Sequence, residues 1–93
     1  MPLPYCVYIL FSYHDFKFYI GYTTNFVKRL KDHRYGKVKS TRDRRPLVLM
    51  YLEFHTNRKD AERRERYFKT TKGKKAIRLM IRQGLKDKNH TLK

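Results

Sequence analysis

Two apolar, aromatic-rich runs lie four residues apart near the N-terminus: Tyr5-Cys6-Val7-Tyr8-Ile9-Leu10-Phe11 and Phe16-Lys17-Phe18-Tyr19-Ile20-Gly21-Tyr22. Each is too short for a core helix and rich in the residues that suit a pleated surface, so each reads as a β-strand. The polar connection Ser12-Tyr13-His14-Asp15 is short enough to join them as an antiparallel hairpin. The first run is apolar throughout, which predicts a strand covered on both faces. Whatever follows must supply that cover, and only 93 residues are available, enough for one domain.

Thr23-Thr24-Asn25 offers side chains that cap a helix start, and a helix is expected from Phe26 to Tyr35, with Gly36 as its left-handed stop. Phe26, Val27 and Leu30 form its apolar stripe at roughly 100° per residue. Arg29 and His33, one turn apart, lie on one border of that stripe and look out from the edge of the core. A basic loop over residues 37–45 follows. Pro46 opens a third strand, Leu47 to Phe54, and Thr56 or Asn57 caps a second helix ending near Lys69 or Thr70. A last helix is expected from Lys74 to Gln83, with Ala76, Ile77, Met80 and Ile81 inward and Gly84 as its stop. The order β-β-α-β-α-α predicts an α+β fold, a small three-stranded antiparallel sheet flanked by helices. A single domain is expected over residues 1–84, with a polar basic tail over 85–93 and no internal repeat.

Charge narrows the partners. The chain carries 24 Lys and Arg against 8 Asp and Glu, a formal net charge of +16. Aromatic residues make up 15%, too many for a disordered basic tail. A folded domain this basic attracts a polyanion before contact, with nucleic acid the leading candidate and an anionic membrane surface the other. No apolar run approaches the roughly 20 residues that span a bilayer, and Met1-Pro2-Leu3-Pro4 has no signal-peptide layout. The lone cysteine, Cys6, excludes an internal disulfide and suits a reducing, cytoplasmic location. Cys6, His14, His33, His55 and His90 show no zinc-ligand spacing.

Several residues stand out singly. On the second helix, Ala61 and Phe68 mark the inward face and Glu65 projects only about 50° from it. A carboxylate there needs a partner, and an ion pair with a neighbouring Lys or Arg is favoured over a divalent cation. Tyr8 and Tyr19 can meet across the hairpin, and read singly each is a core aromatic whose phenol needs a hydrogen bond.

Together these residues resemble a known pattern. Cys6-Val7-Tyr8, ten residues, then Tyr19-Ile20-Gly21 resembles the signature of the GIY-YIG nuclease superfamily. The likeness continues through Tyr22-Thr23-Thr24-Asn25-Phe26-Val27-Lys28-Arg29-Leu30-Lys31-Asp32-His33 and, later, Ala61-Glu62-Arg63-Arg64-Glu65. It covers most of the chain, from Pro4 to Lys69, and is nearest to the small stand-alone members called the URI or excinuclease-subunit-C-like group. The first motif departs from the pattern, with Cys-Val-Tyr in place of Gly-Ile-Tyr. An asparagine found after the glutamate helix in some members has no assigned equivalent, Asn89 lying in the tail.

The resemblance implies a metal-dependent endonuclease with Tyr8, Tyr19, Arg29, His33 and Glu65 as catalytic residues. Glu65 would hold one Mg²⁺ or Mn²⁺ acting as Lewis acid. Arg29 would stabilise charge on the phosphate, and Tyr8, Tyr19 or His33 would take the proton of the attacking water. A tyrosine base requires the local positive field to lower its pKa from about 10. Lys37, Lys39, Arg42, Arg44, Arg45, Lys69, Lys72, Lys74 and Lys75 flank this site and are candidate phosphate-backbone contacts, which carry no base information. DNA is the expected partner and RNA the alternative; the lack of a separate recognition domain points either to a helper protein that brings the substrate or to the competing reading below. The competing reading is a nucleic-acid-binding module of the same fold without useful catalysis. A membrane role is disfavoured, because the last helix needs its apolar residues to close a small core.

Overall fold

The computed structural model describes residues 3–87. Its elements run β1 (Tyr5–Ser12), β2 (Phe18–Thr23), α1 (Phe26–Arg34), β3 (Leu47–His55), α2 (Arg58–Phe68) and α3 (Thr71–Met80), with short 3₁₀ turns at Arg42–Arg44 and Gly84–Lys86. The expected element order and antiparallel sheet are both present. Strand β1 is central, with β2 and β3 as the two edges. That position explains its unbroken apolar sequence. Cys6, Tyr8 and Leu10 point to one side, where Phe26 and Leu30 of α1 cover them. Val7 and Ile9 point to the other and pack with Ala61, Phe68 and Ile77 of α2 and α3. The β1–β3 register shifts between Ile9 and Leu10, whose partners are Tyr51 and Leu49, so Met50 is the extra residue of a bulge.

Several boundaries and faces differ from expectation. β2 begins at Phe18 rather than Phe16, because Phe16 adopts φ +58° and belongs to the turn. On α1, Val27 is 52% exposed instead of inward, while His33 is fully buried. His33 lies only about 20° round the helix from Phe26, at the centre of the buried face; counting Val27 as core tilts the expected stripe away from it. α3 starts at Thr71, three residues before the expected Lys74, because the Thr70 hydroxyl accepts the Gly73 N–H at 3.0 Å and caps the helix. Its inward residues are Gly73 and Ile77, whereas Met80 is 42% exposed. Leu85, assigned to the tail, packs against the core, and Gly84 opens a 3₁₀ turn. Residues 88–93, with Asn89 and His90, lie outside the described residues. Gly36 does end α1, at φ +75°.

The basic loop is tied down. Arg44 donates from Nε to Asp15 Oδ2 at 2.6 Å, and its Nη2 reaches the Lys17 and Phe18 carbonyls, each at 3.3 Å. Ser12 Oγ donates to the Arg44 carbonyl at 2.6 Å. The Arg44 guanidinium holds Asp15 well below the usual carboxylate range, at about 2. The loop is thereby fastened to the β1–β2 turn. Among the described residues, no helix is long and apolar enough to cross a membrane.

Candidate active site

Strand β2 leaves a free edge, and a cleft of ≈ 280 Å³ wraps around it. From the α1 side, Tyr8, Tyr19 and Arg29 line it. From the α2–α3 side come Glu65, Lys69 and Lys74. Four of the five expected catalytic residues therefore share one wall-to-wall site, although 57 positions separate Tyr8 from Glu65 (65 − 8). The fifth, His33, stands directly behind Tyr8.

Tyr8 pairs with Gly21 across the hairpin. The pairing is required by shape, since a Cβ on Gly21 would fall 2.2 Å from Tyr8 Cζ and 2.3 Å from its hydroxyl oxygen. The ring lies in the space a side chain would fill. Gly21→Ala is accordingly expected to destabilise the fold by roughly 1–3 kcal/mol through overpacking. Urea unfolding monitored by tyrosine circular dichroism checks this, and an unchanged midpoint would mean that Tyr8 has room to move.

The buried His33 corrects the expectation of an edge position. Its Nε2 is 2.7 Å from the Tyr8 hydroxyl and its Nδ1 is 2.7 Å from Thr41 Oγ1. The Thr41 hydroxyl donates to the Val38 carbonyl at 3.5 Å, which leaves its lone pair for an Nδ1–H. Nε2 then carries no proton and accepts from Tyr8. Burial, reinforced by the positive charge of Arg29, lowers the His33 pKa to about 4, so the ring is neutral near pH 7. Tyr19 packs edge-on against the same imidazole, with centroids 5.1 Å apart.

Tyr8 departs from expectation in sign. Burial raises its phenol above the ordinary range, and hydrogen bonding to Arg29 opposes this only in part. In the free protein Tyr8 is therefore a neutral phenol, and it can accept a proton only by releasing its own to His33. Arg29 has its pKa raised, chiefly by hydrogen bonding to Tyr8, yet its Nε is buried without a partner among the described residues. The Tyr22 hydroxyl, on the same cleft, is also buried and unpartnered. Unsatisfied polar groups are costly, and two at one cleft mark a place where a polar ligand gains.

Glu65 is half-buried and pairs with Lys69 at 3.1 Å. The ion pair favoured from sequence is thus present, and it faces the cleft. Of the candidate backbone contacts, Lys69 and Lys74 line the cleft, and Lys37, Lys39, Lys72 and Lys75 are exposed. Arg42 Nε donates to the Gly36 carbonyl at 2.8 Å, and Arg45 donates to the Arg42 and Arg34 carbonyls. The Arg44 guanidinium is engaged by Asp15. Cys6 is buried and its thiol is pushed up to about 11, chiefly by desolvation, so it is no nucleophile at neutral pH.

The sequence matches the family described as the GIY-YIG catalytic domain over residues 4–78. The chain belongs to the GIY-YIG family. It is 38% identical over 85 residues to UPF0213 protein CPE1444 of Clostridium perfringens, covering 90% of each chain. It is 42% identical over 65 residues to a UPF0213 protein of Bacillus cereus, covering 69% of this chain and 67% of that one. UPF0213 protein YazA of Bacillus subtilis is 40% identical over 62 residues, covering 66% and 63%. No solved structure matches the chain.

GIY-YIG is a nuclease family whose members generally use divalent metal ions, and the family implies a nucleic-acid substrate. The residues here fit such an ion in one limited way. Among the described residues no three His, Cys, Asp or Glu side chains gather into a metal site. Among the described residues that line the cleft, Glu65 is the one carboxylate. Mg²⁺ is commonly held by one or two carboxylates completed by water and substrate phosphate, which matches a single carboxylate in an open cleft. Thr41 and Tyr22 were not legible as site residues. A threonine hydroxyl in a basic loop carries no signal that it will meet a histidine eight residues earlier.

Proposed function

We propose that this GIY-YIG protein is a divalent-metal-dependent endonuclease that hydrolyses DNA phosphodiester bonds with limited intrinsic sequence preference. One observation carries the reading: Tyr8, Tyr19, Arg29 and Glu65 line a single cleft, with His33 hydrogen-bonded behind Tyr8. A pure binding surface has no use for a buried phenol–imidazole pair at its centre.

In this reaction Arg29 binds the non-bridging oxygens of the scissile phosphate and stabilises the charge that grows on them. Tyr8 orients the attacking water and takes its proton while its own passes to His33 Nε2. Thr41 and the edge-packed Tyr19 hold the imidazole in register. Glu65 would hold the divalent ion, with Lys69 turning from the carboxylate to the DNA backbone. When bound, that ion supplies Lewis-acid polarisation of the phosphate. Lys74 and the exposed lysines follow the backbone on either side.

The test is cleavage of supercoiled plasmid and branched DNA at low salt, with Mg²⁺, Mn²⁺ or chelator. Ion-dependent cutting is expected, reduced about 100-fold or more by Glu65→Gln. The Lys69–Glu65 ion pair favours the second reading, a binding module, because it leaves the carboxylate already engaged. Tight DNA binding without cutting under any ion would establish that reading instead.

A further inference from the structure

The β1–β2 turn presents an aromatic surface that the proposed hydrolysis does not use. Phe16 is 65% exposed, with its backbone at φ +58°, a conformation that disfavours a bulky side chain. It is not there by slackness. The Phe16 N–H donates to the Ser12 carbonyl at 2.8 Å, and the His14 and Asp15 N–H groups both reach Ser12 Oγ at 3.1 Å. Asp15 accepts from the Lys17 N–H at 3.0 Å and is clamped by Arg44. A turn fixed this thoroughly holds an apolar ring out in water at a cost to stability, and such strain is a pointer to function.

The ring has aromatic company leading to the cleft. Phe16 lies 6.3 Å from Phe11 and 6.4 Å from Tyr13, and Phe11 lies 5.6 Å from Phe18, which lines the cleft beside Lys74. Cations lie along this aromatic row: Lys17, next to Phe16 in sequence, is exposed, and the Arg78 guanidinium sits 5.2 Å from the Phe18 ring centre. An apolar face bordered by positive charge complements a nucleobase whose phosphates run alongside. In a duplex that base face is hidden by stacking, so the base must be unpaired.

We propose that the β1–β2 turn is a stacking platform, with Phe16 at its tip, for an unpaired base of the strand held in the cleft. The protein consequently prefers DNA with single-stranded or forked segments over blunt duplex. This rests on the nucleic-acid reading above.

The test is binding, not cleavage, of a labelled fork and a blunt duplex of equal length in chelator, followed by anisotropy. Phe16→Ala and Phe16→Gly are expected to weaken fork binding about 5- to 100-fold and to leave duplex binding and its salt dependence unchanged. Phe16→Gly relieves the left-handed strain, so its melting temperature should match or exceed wild type, separating lost stacking from lost folding. Phe16→Trp should bind the fork like wild type. The sequence contains no other tryptophan, so quenching of its emission by the fork alone reports base contact. Equal losses on both DNAs, or no loss on the fork, overturn the platform and leave the nuclease reading standing. Failure of the wild-type protein to bind either DNA overturns both.

Discussion

Replacing Arg29 by alanine is expected to slow DNA cleavage by about 10²–10³-fold, as loss of a charge-stabilising donor does elsewhere, with no loss of thermal stability. The two halves of this result come from one geometry. The guanidinium faces the cleft beside Tyr8, where phosphate charge would develop, yet its Nε is buried without a partner among the described residues. Such a group destabilises the free protein, and removing it offsets what the Tyr8 contact contributes. A residue that served packing alone would behave the opposite way, with the melting point falling alongside activity. Arg29→Lys should recover little, because an ammonium cannot fork two phosphate oxygens. The substitution also reaches His33. Arg29 helps depress the imidazole pKa, so without it that pKa rises toward its ordinary value and the acid limb of the pH–rate profile moves up. Plasmid cleavage, differential scanning fluorimetry and the pH profile read the three consequences. Full activity in Arg29→Ala would remove this residue from the phosphate.

How much of this was legible in the sequence follows from the range of each interaction. The strands were legible because β1 is buried on both faces, which forces a continuous apolar run, and the starts of α1 and α2 because Asn25 and Asn57 cap within three residues; the Thr70 cap of α3 was not read. Faces were less legible. Val27 is apolar like Phe26 and Leu30, and nothing local says that a histidine rather than a valine fills the centre of the α1 stripe. That exchange is decided by Tyr8, a residue 25 positions away offering a hydroxyl at 2.7 Å. The basic loop was legible as charge but not as architecture: Arg44 reads like its neighbours until Asp15, 29 positions earlier, is brought to 2.6 Å. The site residues were found through paired motifs, since no single one is diagnostic. Thr41, which acts through His33, and Tyr22, whose hydroxyl reaches the cleft only once the chain is folded, were missed for the same reason that His33 was placed at an edge.

His33 also sets the last expectation, in which stability and catalysis respond to the same proton. Its folded pKa of about 4 lies below the ordinary 6.5, so between those values the unfolded chain binds a proton that the folded chain refuses. Stability therefore falls as pH drops from about 6.5 toward 4, by an amount on the order of 3 kcal/mol, equivalent to roughly 10–20 °C in a domain this size. Asp15, lowered to about 2 by Arg44, acts mainly below this window, and Glu53, lowered from 4.5, adds only at its acid end. His33→Gln, whose amide can still accept from Tyr8, should flatten the slope there; an unaltered slope would assign it to another group. In catalysis the same low pKa keeps Nε2 free to accept, so cleavage should hold its rate well below pH 6.5 before failing. His33→Gln and Tyr8→Phe should each lower the rate about 10²–10⁴-fold. The double variant should be no slower than the worse single one, because a relay broken at either member is already broken. Multiplying losses in the double variant would mean that the phenol and the imidazole act on separate protons, and Tyr19 would then become the candidate for the second.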